Sequence, residues 1–179
     1  MSPRRRLLLA ALPGLALTNL RAEPGLEAPN VLVVAPDLVC SGQPKPASLQ
    51  RLGELGFEAV LYLAPPSVSD AVPEEAQWLR AQGIAFVNVP MVWERPTLEQ
   101  VDEVLHTLAK WRGRKRKVLV HCQVNFRGSS LVFLHRVLGR QEAAEAAWAD
   151  LSRVWSPNHT WMELIRAALR RAGHPFEPL

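Results

Sequence analysis

The sequence predicts a single α/β domain in which a small central parallel sheet is flanked by helices. Three observations lead there. Short, uninterrupted apolar runs recur along the chain, as strands buried on both faces require. Amphipathic stretches of helical period separate those runs, as crossover helices do. The length of 179 residues, 48% of them apolar, suits one domain with a sizeable core.

The elements follow in order. Apolar stretches at residues 31–34 and 37–40 open the domain, broken by Pro36, and "SGQPKP" makes a turn. Residues 47–55 carry Leu49, Leu52 and Leu55 at helical spacing and stop at Gly56. Residues 59–63 have the pattern of a buried strand, ended by Pro65-Pro66. Pro73 opens a helix that runs through Gln82 to a stop at Gly83. Residues 84–89 read as the third strand, ending at Pro90. Thr97 caps a helix whose apolar positions are Leu98, Val101, Val104, Leu105 and Leu108. Residues 118–120 are the next strand. The rest is helical, at 129–138, 142–154 and 161–171, with Ser156-Pro157 as the start of the last helix and Gly173 as its stop. Trp148 and Trp155, seven positions apart, are expected to share a helix face and pack in the core.

The first 22 residues differ. Arg4, Arg5 and Arg6 precede an apolar run, residues 7–17, too short to span a bilayer, and Ala22 follows as a cleavage position. That order predicts a secretory signal peptide at 1–22. Residues 23–179 would then be the mature domain, exported to the periplasm and not inserted in a membrane. The alternative is a basic, apolar helix retained on a cytoplasmic protein. Export also changes the charge. The formal net charge of +4 comes from 21 basic and 17 acidic residues, and residues 1–22 hold four arginines and no acid, so the mature chain has 17 against 17. A neutral domain gives no reason to expect a nucleic-acid partner. One basic cluster remains, "KWRGRKRK" at 110–117, either a solvated loop or a patch that steers an anionic substrate. Cys40 and Cys122 make no disulfide framework and lack metal-ligand spacing, so no metal or other cofactor is expected. They could pair only if the fold brings them together.

The chemistry concentrates in "VHCQVNFRGSS", residues 120–130. Ligands bind at the carboxyl ends of strands in an open parallel sheet, and Cys122 stands at that end of its strand. The backbone N–H groups of Gln123, Val124, Asn125, Phe126, Arg127, Gly128 and Ser129, a turn followed by a helix start, are expected to point inward and cradle an anion. The same groups and Arg127 favour the thiolate of Cys122, a nucleophile. The planar fork of Arg127 can grip two phosphate oxygens, and Ser129 or Ser130 can donate to the sulfur when it leaves. This set suits attack on phosphorus through a cysteinyl-phosphate intermediate, with no metal.

The loop resembles the signature loop of the cysteine-dependent protein tyrosine and dual-specificity phosphatases: His-Cys, five residues, arginine, then serine or threonine. "LVCSGQPKPASLQRLGELGFEAVLYL" is similar to the opening of the small bacterial and fungal members, including the phosphatase-like domain of beta-lactamase-hydrolase-like proteins. "VNVPMVWERPT" sits where that family places its general-acid loop. The resemblance covers about residues 30–165 and is most specific at the cysteine loop. It implies the phosphatase fold, a phosphorylated protein or small phosphate ester as substrate, and a His121 that fixes the loop and tunes Cys122. Two features differ. Four residues, not five, separate Cys122 from Arg127, so Gly128 falls at the family's arginine position and Ser129 at its hydroxyl. The loop also lacks the usual glycine in its middle. Either the cradle is one residue tighter, or Arg127 enters from a shifted angle.

Hydrolysis needs a proton for the leaving-group oxygen. The family takes it from an aspartate on a loop after the preceding strand, and in this chain Glu94 holds that place. Its other reading is an exposed carboxylate paired with Arg95. Asp102 falls within a helix, and Asp70 is more remote. Cys122, Arg127 and Glu94 thus read as the catalytic residues of a phosphomonoester hydrolase. Two alternatives stand beside that: a noncatalytic module that binds a phosphorylated ligand, and a rhodanese-type sulfurtransferase, which also carries a cysteine loop after a strand. Cys40 reads as a packed residue near the "SGQP" turn.

Overall fold

The computed structural model describes residues 23–178. The expected signal peptide lies outside the described residues. The strands are β1 Leu32–Ala35, β2 Leu38–Ser41, β3 Ala59–Tyr62, β4 Ala85–Asn88 and β5 Val118–His121. They form one sheet in the order β1-β2-β5-β3-β4. β2, β5, β3 and β4 are parallel neighbours, and β1 runs antiparallel to β2. The expected parallel sheet therefore holds for four strands. The fifth is an antiparallel edge, because the two residues Pro36-Asp37 can join strands only as a hairpin.

Every residue of β3 (AVLY) and β5 (VLVH) is buried, because helices cover both faces of the sheet. Alternation along β5 divides its side chains. Val118 and Val120 join Cys40 and Leu61 in the larger core, and Leu119 joins Val39 and Val60 in the smaller one. Helices α3 Leu98–Gly113, α4 Phe126–Leu134, α5 Ala144–Val154 and α6 His159–Arg171 cover the first face; α1 Pro46–Leu49 and α2 Glu75–Ala81 cover the second.

Four local expectations change. The helix expected over 47–55 is a single turn, α1, continued by turns. The Gln82 amide donates to Leu49 O at 2.8 Å and accepts from Gly53 N at 2.9 Å, standing where the next intrahelical bond would form. The helix expected from Ser129 begins three residues earlier, at Phe126, and passes into a π-helical turn, His135–Gly139. The last helix is capped by Asn158, which accepts from Trp161 N at 3.0 Å, and not by Ser156. Trp155 is extended at the end of α5, so it leaves the face of Trp148. Trp148 packs on Phe133, while Trp155 stacks on Phe126 at 4.6 Å. The Thr97 cap forms as a capping box with Gln100. The basic residues 110–117 form the last turn of α3 and its connection to β5, and so stand at the opposite end of that strand from Cys122.

The π-helical turn buries a histidine. His135 is 1% exposed, and burial, aided by Arg140 and Arg112, pushes its pKa down to about 4. A histidine that protonates more readily in the unfolded chain opposes folding in acid. Its neutral form costs nothing above the unfolded value of about 6.5, and stability is lost as pH falls from there through about 4. The full effect is about 3 kcal/mol. His135→Gln does not titrate, so its urea midpoint should fall less than wild type's between pH 6.5 and 4; equal slopes would discount this burial effect.

Candidate active site

β5 lies between β2 and β3 in a register that aligns Ser41, His121 and Tyr62 at the carboxyl end of the sheet. Cys122 is the next residue, and its N–H donates to Ser41 O at 3.3 Å. The loop that follows is tied to the end of β2. Val124 bridges to Gly42, and Gln43 N donates to Gln123 O at 2.9 Å. A Cβ on Gly42 would lie 2.6 Å from Gln123 O, so the close approach requires glycine.

Asn125 supplies what the missing glycine would. Its φ of 70° is left-handed, a conformation asparagine tolerates better than most residues. Its amide donates to Asn30 O at 2.6 Å and to Cys40 Sγ at 3.4 Å, and makes no cap bond to α4. The first bond of α4 is Ser129 N to Asn125 O at 2.8 Å. The N–H groups of Phe126, Arg127 and Gly128 therefore have no acceptor within the helix, at the end of α4 that follows the turn after Cys122. A Cβ on Gly128 would lie 2.5 Å from Asn125 Oδ1. No side chain fits there, so Arg127 is the loop's arginine.

Arg127 is 5% exposed. Its Nε donates to Met91 O at 2.9 Å, its Nη1 reaches Gln123 Oε1 at 3.4 Å, and its guanidinium lies 5.2 Å from the Trp93 ring centroid. Those contacts hold the fork through Nε and Nη1 and leave Nη2 without a hydrogen-bond partner among the described residues. Cys122 and Cys40 are both fully buried, free thiols. Burial pushes the Cys40 thiol up to about 12, against the hydrogen bond from Asn125. Cys40 thus stays protonated and serves as an acceptor under the loop.

His121 is fully buried, stacked on Tyr62 with ring centroids 4.8 Å apart. Its Nε2 lies 2.7 Å from Oε1 of Glu75, whose other oxygen accepts from Gln43 Nε2 at 3.2 Å. Sequence reasoning missed Glu75 and Gln43. An acid in a helix's first turn looks like a surface residue favoured by the dipole, and nothing local marks it as buried. Burial, Glu75, Asp70 and Cys122 push the Tyr62 hydroxyl up to about 12, with Arg127 opposing, so this ring sits among the charges of the site.

The remaining sequence candidates are placed as follows. Ser129 and Ser130 Oγ donate back to Phe126 O, at 3.3 and 2.9 Å. Val124 is 41% exposed beside the loop. Glu94 is exposed at the turn after Trp93, and no ion pair with Arg95 forms among the described residues. That turn is pinned over Arg127: Met91 N donates to Leu63 O at 3.0 Å, Gln100 Nε2 to Pro90 O at 3.0 Å and Trp161 Nε1 to Trp93 O at 3.1 Å. Asp102 pairs with Arg171 on the helical face. Asp70 lines a cleft of about 570 Å³ together with Gln43, Lys45 and Gln123.

The chain superposes on solved structures. A DUF442 protein from Shewanella putrefaciens CN-32, described as a phosphatase, is 26% identical, with a TM-score of 0.73 over 82% of this chain and 95% of that one. The core catalytic domain of the PP-IP phosphatase Siw14 from S. cerevisiae is 19% identical, with a TM-score of 0.64 over 83% and 94%. PTPMT1, solved with PI(5)P, is 14% identical, with a TM-score of 0.65 over 76% and 92%. The fold is that of the cysteine-dependent phosphatases. No protein-family model matches the chain, and no curated protein does either.

The left-handed residue gives a direct check. Asn125→Ala keeps no amide and forces a Cβ residue into φ 70°, a strain of about 1–2 kcal/mol. Asn125→Gly loses the amide alone. By urea unfolding, the alanine variant should be less stable than the glycine variant by about 1 kcal/mol, and its affinity for inorganic phosphate should weaken more.

Proposed function

We propose that the protein hydrolyses phosphomonoesters through a cysteinyl-phosphate intermediate. The observation that carries this is the meeting of Cys122, three uncapped helix N–H groups and the Arg127 fork at one end of β5. The thiolate attacks phosphorus as the bond to the leaving-group oxygen breaks, and Glu94 gives that oxygen its proton. The N–H groups and Arg127 hold the non-bridging oxygens as their charge redistributes. Water then attacks phosphorus, Glu94 takes its proton, and the sulfur departs as thiolate. His121 supports the loop. The substrate is a phosphorylated protein or a small phosphate ester, and the names of the neighbours put inositol phosphates and phosphoinositides among the esters to try.

A second reading is a module that binds a phosphorylated ligand without turning it over. The full burial of Cys122 and the back-bonded serine hydroxyls favour it. Turnover of a panel of phosphorylated substrates separates the two. Cys122→Ser should abolish hydrolysis while keeping affinity for the phosphorylated ligand; a variant that still turns over would refute the nucleophile. Glu94→Gln should slow esters with poor leaving groups by about 10²- to 10⁴-fold and aryl phosphates with acidic phenols far less. An equal, small loss for all esters would move the acid's role to another residue, Asp70 first.

We also propose export, on the Arg-rich start and short apolar run of residues 1–22. No helix among the described residues is long and apolar enough to cross a membrane. Protein from its native cell should begin near Glu23 by N-terminal sequencing, and an intact Met1 or Ser2 would refute cleavage.

A further inference from the structure

A carboxylate is costly to bury unless something meets its charge. Glu75 is 3% exposed, although it opens a surface helix whose preceding residue, Glu74, is exposed. Both of its oxygens are engaged, one by Gln43 Nε2 at 3.2 Å and one by His121 Nε2 at 2.7 Å. The two side chains are in direct contact there, although the contact lies off the ring's N–H direction. His121 itself is fully buried, stacked on Tyr62 and one peptide from Cys122.

The surrounding charges are few. Around Tyr62, which carries the imidazole on its face, stand Asp70 from the loop before α2, Cys122 after β5 and Arg127 from α4. Asp70 is exposed, and Arg127 is committed to Met91 O and Gln123 Oε1. Neither meets the Glu75 charge in these contacts. Glu75 does not line the cleft beside Asp70; Gln43, its hydrogen-bond partner, does. The contacts of its carboxylate are to Gln43 and His121, so it acts on the reacting sulfur only through another residue.

Resting on the phosphatase reading above, we propose that Glu75 is a positioning residue for Cys122, acting through His121. Its carboxylate sustains a positive charge on the imidazole, and that charge, on the residue preceding the cysteine, favours the thiolate that attacks phosphorus. The positive member of the pair is adjacent to Cys122 in the chain, and the negative member touches the imidazole. The pair adds to the uncapped N–H groups that open α4 after the loop.

Glu75→Gln, made in the full chain, keeps the side chain's size and its acceptor for Gln43 and removes the charge. The acidic limb of kcat/KM for an aryl phosphate should move up by about one pH unit, a tenfold loss on that limb, while kcat at alkaline pH stays within about twofold. Oxidation of Cys122 by hydrogen peroxide, followed by intact mass at a pH on that limb, should slow about tenfold. This second measurement needs no turnover, so it tests the proposal even if the chain binds phosphate esters without hydrolysing them. His121→Gln should reproduce both effects, and the double variant should be no worse than His121→Gln alone. A uniform loss at all pH values, an unshifted limb with an unchanged oxidation rate, or additive losses in the double variant would overturn the proposal. Should Glu75→Gln not fold, His121→Gln decides alone: an unmoved limb and an unchanged oxidation rate overturn it.

Discussion

Three backbone N–H groups at the start of α4 have no acceptor in their own helix, and the site is arranged around that deficit. Most helices close it with a capping side chain. Here the residue in the capping position, Asn125, turns its amide the other way, to Asn30 O and Cys40 Sγ. The N–H groups of Phe126, Arg127 and Gly128 are left uncapped at the end of the helix that follows Cys122. An uncapped helix end with its dipole is a standing site for an anion. The left-handed φ of Asn125 permits the arrangement, and the bare Cα of Gly128 leaves room for the asparagine side chain.

Holding a loop in that state takes support from the elements around it. From β2 come the Gly42 bridge and the Gln43 N–H bond to the loop backbone. From the acid-loop side comes the Met91 carbonyl, which takes Arg127 Nε. From α2 comes Glu75, which meets the buried His121 at the base. Each support is a polar group inside a largely apolar core. Buried polar groups of this kind are costly when unmatched and directional when matched. They fix the loop more sharply than packing alone could.

The aromatic group beside the loop does the corresponding work for the Glu94 turn. Trp93 packs against Trp155 at 5.4 Å and Trp161 at 5.2 Å, and Phe126 stacks on Trp155. Phe126 belongs to the cysteine loop and Trp93 to the turn of Glu94, so the two loops share one apolar seam. Trp161 Nε1 adds a hydrogen bond to the Trp93 carbonyl. The turn that carries Glu94 is held in place before any substrate arrives, while its carboxylate points out of the seam and is exposed.

What the sequence by itself determined is local or strongly patterned. Strands buried on both faces must be apolar throughout, so β3 and β5 were legible as runs. The Thr97 cap is made within four residues, so it was legible too. Cys122 and Arg127 were legible because their chemistry and spacing are unusual after such a strand, and the left-handed Asn125 was foreshadowed only as a missing glycine. What the tertiary structure decided depends on residues far apart in the chain. Asn125 reaches Asn30 across 95 positions, and Gln82 cuts α1 short from 33 positions away. The Glu75–His121 contact joins a helix start to a strand end that only the sheet order brings together. The departure of Trp155 from the Trp148 face depended on where α5 ended. Periodicity and propensity act over one or two turns of chain. They do not specify which distant polar group a buried charge will meet, and that meeting gives the site its geometry.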